Sequence, residues 1–272
     1  MDTAVHRSAQ AESGELVSQT STPSESRAIK ASNYNILSAV APCVSVEEGY
    51  ERWAQTYDRT PNPLLGLEER KLAALLPDLT GKRVLDLACG TGRWLQRLSA
   101  QRAGLGVGVD SSIAMLRVAA TKPAICGSLA RGDCRNLPLR DSIFDLVVCS
   151  FALGHVPDLG ATVRELARVT KSGADVFVSD LHPEAYARGW RTAFRDGRGT
   201  MQIDMTPRTA EEMIRAFYAG GFECLTHLPL CLGEPEKLTF IRAGKSHLFT
   251  QACQVPAVLV CHFRRTLAET RL

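Results

Sequence analysis

The chain has 272 residues, 45% hydrophobic and 22% charged, with a formal net charge of +3 at pH 7. That length can bury the core of one large domain. So small a charge, with no long lysine–arginine block, argues against a nucleic-acid partner. No apolar stretch reaches about 18 residues, so no membrane span is expected.

Residues 1–33 are rich in Ser, Thr, Gln and Glu and poor in large apolar residues, and they predict a disordered tail. The segment lacks the basic start and apolar centre of a secretory signal. None of the nine cysteines forms a C-x-x-C pair. Cys149 and Cys261 sit in apolar runs where a thiol behaves as a small core residue. These features predict a reduced, cytoplasmic chain with no metal site.

Residues 34–272 predict a single domain. "KRVLDLA" (82–88) reads as a buried strand, followed by a helix with Trp94, Leu95 and Leu98 on one face. "LGVGVD" (105–110) is a second strand and "SIAMLRVAAT" the helix after it. "SLARGD" (128–133) is a third strand, and "IFDLVVCSF" (143–151) combines β-branched and aromatic residues in a fourth. Asp158 is a good N-cap for a helix with Val163, Leu166 and Val169 inward. "KSG" (171–173) predicts a turn before a fifth strand, "ADVFVSDL" (174–181). Thr209 and Glu212 stand at capping-box spacing. "CLTHLPLCL" (224–232) and "PAVLVCHFRR" (256–265) predict a closing antiparallel pair. Residues 183–206 interrupt the pattern as an insertion. The expected fold is therefore α/β, a doubly wound, mostly parallel sheet with an antiparallel closing strand. Its ligands belong at the carboxyl ends of the strands, where strand order reverses.

The loop "VLDLACGTGRW" (84–94) falls at such an end. Gly90 and Gly92 let backbone amides approach a ligand. A dinucleotide fingerprint would place a third glycine where Leu95 stands. Asp86, inside the strand, would repel a pyrophosphate and favour a sulfonium. Unit charges 4 Å apart interact by about 4 kcal/mol at an effective dielectric near 20. That points to S-adenosylmethionine (SAM), although a carboxylate there also suits a helix cap. Asp110, 20 residues beyond Gly90, can accept both ribose hydroxyls in a SAM or an NAD site. In "GDCRNLPL" (132–139), Asp133 can accept from an adenine amino group while the Cys134 amide donates to the ring.

"VLDLACGTGRW", "GVGVDSSIAML", "GDCRNLPL", "FDLVVCSFALGHVPD" and "SGADVFVSDLHP" together resemble the successive motifs of class I SAM-dependent methyltransferases, in their small-molecule branch. The resemblance covers about residues 82–183 and implies a Rossmann-like fold and methyl transfer to O, N or C of a small molecule. It implies that Asp86, Gly90 and Gly92 line the methionine end, Asp110 the ribose, and Asp133 with Cys134 the adenine. Ser112 and Met115 fall on the D-x-S-x-x-M-L pattern, Met115 as an apolar wall. "YERWAQTYD" (50–58) resembles the aromatic segment that closes over the cofactor, with Tyr57 at the methionine end. Ala88 replaces the commonest first glycine of the loop.

Methyl transfer needs an aligned nucleophile in a dry site, and a base only when the acceptor arrives protonated. His155, after the fourth strand, and His182, after the fifth, are the candidate bases, each equally suited to a structural bond with backbone. In "EAYARGWRTAFRDGRG", Arg188, Arg191, Arg195 and Arg198 share one helical face, and Tyr186, Trp190 and Phe194 another. A helix here would let Trp190 roof a pocket and Arg191 and Arg195 meet an acidic substrate, or would dock its aromatics on the body with solvated arginines. Two other functions compete. An NAD-dependent oxidoreductase would use Asp110 but leave Asp86 unexplained, and a silent SAM-binding regulator would keep every cofactor motif.

Overall fold

The computed structural model describes residues 41–125 and 128–266. The tail expected over 1–33 lies outside them. The described residues belong to one compact unit, Asn35–Leu272.

A short strand, β1 (Cys43–Val44), leads into α1 (Val46–Trp53), whose start is fixed by Ser45 Oγ accepting from the Glu48 amide. After α2 (Pro63–Ala73) the strand–helix alternation begins. It runs through β2 (Arg83–Leu87), α3 (Arg93–Ala100), β3 (Leu105–Asp110), α4 (Ile113–Ala120) and β4 (Leu129–Arg131). It continues through β5 (Phe144–Ser150), α5 (Leu159–Val169) and β6 (Thr170–Leu181). Asp158 caps α5 as expected, accepting from the Ala161 amide at 2.9 Å. "KSG" differs from its expected turn. The register skips from Thr170 opposite Phe144 to Asp175 opposite Leu146, so the turn is an irregularity inside β6 with Gly173 at φ 78°.

The segment expected to be a helical insertion is mostly a hairpin. Only α6 (Pro183–Ala187) is helical, and β7 (Ala193–Asp196) and β8 (Gly199–Ile203) pair antiparallel across Gly197–Arg198. Parallel pairing of β8 with β1 makes a small three-stranded sheet. Then come α7 (Ala210–Ala219) with its Thr209–Glu212 capping box, β9 (Phe222–Cys231), α8 (Glu234–Arg242), α9 (Phe249–Ala252) and β10 (Pro256–Arg265).

The main sheet has the order β4-β3-β2-β5-β6-β10-β9. Strands β2 to β6 are parallel, and β10 enters antiparallel between β6 and β9, the closing pair expected from sequence. Alternation along the strands divides its faces. Leu85, Leu87, Val147, Cys149, Val176 and Val178 form one core with residues of α5 and α7. Asp86 and Ser179 point the other way, towards the side of α2 and α3. Order reverses between β2 and β5, and the gap there opens at their carboxyl ends.

Helix α1 reaches this opening by lying close on the small sheet. A Cβ added to Gly49 would stand 2.6 Å from Ile203 Cγ1, a branch atom of a buried side chain. Trp53 stacks on Phe194 with ring centroids 5.7 Å apart, and Arg52 Nη2 binds Asp196 Oδ2 at 2.6 Å. Gly49→Ala is therefore expected to lower stability by about 1–3 kcal/mol through overpacking. It should also speed amide exchange over residues 46–57; unchanged melting and exchange would show that no close approach exists there.

Candidate active site

The opening between β2 and β5 leads into a cavity of about 560 Å³, a volume ordinary for small-molecule sites. Its floor is the loop after β2, fastened through its backbone. The Cys89 amide donates to the Val109 carbonyl at 3.0 Å, and the Gly90 amide to Asp110 Oδ2 at 2.7 Å. A Cβ on Gly90 would meet nothing within 4 Å, so the cradle is open on the cavity side. Gly92 has another role. At φ 80° it precedes α3, and a Cβ there would collide with Ile125 Cδ1. It does not line the cavity, and its own conformation answers a packing constraint against Ile125.

Asp86 lines the cavity and also serves the helix, its Oδ2 accepting from the Leu95 amide at 2.8 Å. The two readings of this residue coexist. Burial pushes its carboxyl up to about 7, against the opposing pull of the Leu95 amide and Arg93. Asp110 accepts from the Gly90 and Ser112 amides, one on each oxygen, and burial raises it too. Each oxygen keeps a further lone pair. Ser112 lines the cavity and caps α4 through the Met115 amide, while Met115 is a buried wall. Asp133 and Cys134 line the far end. Asp133 is not a free acceptor, because the Arg135 guanidinium takes both its oxygens and pulls its pKa down to about 2. The Cys134 thiol accepts from Thr162 Oγ1 at 3.5 Å and is raised by burial.

Tyr57 lines the opposite wall, edge-on to Trp53 with centroids 4.7 Å apart. Its phenol is pushed up to about 12 by burial. Next to it Asp58 Oδ1 accepts from Thr91 Oγ1 at 2.6 Å and Asp58 Oδ2 pairs with Lys122 at 2.8 Å. The first link ties the aromatic segment to the glycine loop and the second to the end of α4.

The two histidines separate. His155 lines the cavity, whereas His182 stands away from it and caps α6, its Nδ1 accepting from the Glu184 amide at 3.2 Å. The expectation of His182 as a base is corrected: a histidine before Pro183 is using its ring to start a helix. The substrate expectation for Trp190, Arg191 and Arg195 is corrected as well. None lines the cavity. Trp190 is buried, Arg191 lies over the Tyr186 ring and donates to the Tyr186 and Trp190 carbonyls, and Arg195 is exposed on β7. Strand geometry breaks up the arginine face that helical spacing suggested.

Arg93, Tyr50 and Phe151 are among the cavity residues that the sequence does not single out. Arg93 donates to Glu68 Oε2 and Ser150 Oγ, both at 2.9 Å. The fully buried Glu68 also accepts from Trp94 Nε1 and Ser179 Oγ, so one carboxylate joins α2, α3 and β6. Tyr50 donates to or accepts from His155 Nε2 at 3.0 Å. Phe151 sits in the left-handed region at φ 52°, beside the cavity at the end of β5. Only Tyr50 had a signal, the aromatic spacing of "YERWAQTYD"; the other partners come from distant segments.

Residues 84–173 match the family described as "Methyltransferase domain". The fold is shared with an S-adenosylmethionine-dependent methyltransferase from Mesorhizobium loti, at TM-score 0.60 and 24% identity over 75% of this chain and 100% of that one. The family match takes in the glycine loop and strands β3 to β5. A DhpI–SAH complex aligns with this chain at TM-score 0.55 and 20% identity, over 80% of this chain and 93% of that one. Demethylmenaquinone methyltransferase from Staphylococcus saprophyticus is 36% identical over 137 residues, 47% of this chain and 58% of that protein. The chain thus spans less than two thirds of this curated relative.

One departure in the glycine loop has an energetic signature. Ala88 occupies the left-handed region at φ 55°, where a Cβ costs about 1–2 kcal/mol. Ala88→Gly is expected to raise stability by up to about 1 kcal/mol, the relief being offset in part by glycine's larger unfolded-state entropy. Urea denaturation would measure it, and a loss of stability would contradict the strain.

Proposed function

We propose that this protein transfers a methyl group from S-adenosylmethionine to an O, N or C atom of a small-molecule acceptor, in the cytoplasm, within one domain over residues 34–272. The observation that carries the reading is a pair of carboxylates, the buried Asp86 and the partly buried Asp110, on the wall of the cradle opened by Gly90. Two acidic groups there oppose a diphosphate, which disfavours the dinucleotide alternative. They suit a nucleoside carrying a sulfonium and an ammonium.

The chain's residues fit such a group along the whole cavity. Asp86 and the Gly90 backbone serve the methionine end, with Tyr57 above it. Asp110, held by two amides, offers its remaining lone pairs to the ribose diol. Met115 supplies the apolar wall for the base, Ser112 fixes that wall by capping α4, and the Cys134 amide with Asp133 meets the ring edge, Asp133 sharing its charge with Arg135. When bound, SAM supplies a methyl group on a positively charged sulfur. The roof from α1 to Tyr57 keeps water from the nucleophile, which an in-line displacement requires.

The acceptor follows from the remaining wall. Val46, Tyr50, Phe151, Ala152, His155 and Val156 make it largely apolar. Demethylmenaquinone, named in the curated relatives, is the first acceptor to try, in its electron-rich reduced form. Among the described residues, no helix is long and apolar enough to cross a membrane and no group of three or more His, Cys, Asp or Glu could hold a metal. The described cysteines are free thiols, in keeping with a reducing compartment.

Two measurements test the reading. SAM should raise the melting temperature while NAD leaves it unchanged, and labelled SAM should yield methylated product with at least one apolar acceptor. Stabilisation by NAD alone would overturn it, and SAM binding with no product from any acceptor would favour the regulatory alternative.

Asp86 adds a pH dependence. Its folded pKa of about 7 lies above an unfolded value near 4. Ionising it in the ligand-free fold therefore costs stability, a cost absent below about pH 4 and complete above about pH 7. A bound cation favours the ionised form, so binding expels a proton. SAM affinity should rise about tenfold from pH 6 to pH 8, and Asp86→Asn should bind more weakly with a flat profile. Calorimetry at several pH values would check this, and an unaltered profile in the variant would remove Asp86 from the cofactor site.

A further inference from the structure

Tyr50 and His155 both line the cavity, with Tyr50 Oη and His155 Nε2 3.0 Å apart. His155 Nδ1 lies 2.8 Å from the Asp204 backbone carbonyl oxygen. A carbonyl only accepts, so Nδ1 carries the ring proton. In the neutral ring Nε2 then holds the lone pair, and the Tyr50 hydroxyl must donate to it. The phenol hydrogen is thereby committed, while the phenol oxygen keeps lone pairs for another donor.

The surroundings favour moving a proton along this line. Burial, with Tyr57, Asp180 and Asp110 nearby, holds the Tyr50 phenol well above its ordinary range, so it passes a proton on and does not store charge as phenolate. Asp180, buried at the end of β6, accepts from the Gly154 amide at 2.6 Å and the Leu181 amide at 2.8 Å. Burial raises its pKa, and positive charge on His155 and on Arg208 draws it back. Glu47 and Glu51 of α1 add negative charge at the cavity edge.

We propose that Tyr50 and His155 form a two-step proton relay, with the acceptor a molecule bearing a weakly acidic, phenol-type hydroxyl. This rests on the methyl-transfer reading and deepens it. The acceptor O–H bond breaks as its proton passes to the Tyr50 oxygen, and Tyr50's own proton passes to His155 Nε2, leaving imidazolium. The electron pair left on the acceptor oxygen forms the new bond to the methyl carbon while the S–C pair stays on sulfur. Where the attack runs through a ring carbon, that carbon's hydrogen returns to the oxygen by tautomerisation. His155 gives up its proton to solvent when product leaves. Tyr50 is the group that touches the acceptor, and the Asp204 carbonyl is the positioning element that fixes the tautomer.

The relay is tested first without turnover. In nitrogen-15 NMR of histidine-labelled protein, His155 should show a protonated Nδ1 and a bare Nε2; a proton on Nε2 would reverse the hydrogen bond and overturn the relay. The second test uses 1-naphthols graded in acidity, from unsubstituted to nitro-substituted forms already ionised at neutral pH. Tyr50→Phe and His155→Gln should slow the unsubstituted naphthol about 100-fold and the ionised ones less than about threefold. Calorimetric affinity for S-adenosylhomocysteine should stay within about threefold of wild type. Equal loss across the series would overturn the relay and leave methyl transfer standing. Absence of product from every naphthol in the wild-type protein would overturn the phenol-type acceptor and the relay with it, and labelled product from any other acceptor would leave methyl transfer standing.

Discussion

A glycine loop can cradle a ligand only if something else holds it still, because its own side chains contribute almost nothing. Here the holding is done by carboxylates at the ends of two adjacent strands. Asp110 takes the Gly90 and Ser112 amides, and Asp86 takes the Leu95 amide at the start of α3. Each satisfies a backbone donor that neither sheet nor helix pairing could reach. The same burial that makes these bonds rigid makes a second negative charge expensive, and it raises both groups. The ligand-free loop is therefore held in place by groups whose electrostatic position improves when a cation arrives. Structure and the proposed binding use one pair of side chains.

The far side of the loop depends on a second buried charge. Glu68 gathers Arg93, Trp94 and Ser179, so the first helix after the loop is set against β6 across the sheet face. A carboxylate buried so completely is tolerable only when its lone pairs are satisfied, and here a guanidinium, an indole and a hydroxyl do so. The roof is coupled to the same loop through Asp58, which binds Thr91 and Lys122. Floor, wall and roof are thus joined by polar contacts between segments well separated in sequence.

That separation explains what could be read in advance. The parallel strands are short apolar runs, and Asp158 and the Thr209–Glu212 pair announce their helices through bonds of three or four residues' reach. Asp86 and Asp110 are visible because their spacing from a strand end places them on the cavity, and Met115 because it falls on the D-x-S-x-x-M-L pattern of the resemblance. For Gly92, a glycine required by Ile125 looks, in sequence, like one required by a ligand. The helix considered for 184–199 follows a four-residue spacing of aromatics that coincides with helix period. The Gly-Arg-Gly run at 197–199, between alternating residues, is the turn signal that outweighs it. The bond from His155 to Tyr50 spans 105 positions, and no local pattern carries it.

The hairpin touches nothing in the cavity, yet Phe194 supports Trp53, and Trp53 lies against both Tyr50 and Tyr57. Its loop is polar, solvent-facing and bound by few packing demands. Drift in that outlying ribbon is transmitted inward as small tilts of two phenol rings. A lineage carrying this architecture can retune which molecules it accepts while every residue in contact with them stays the same.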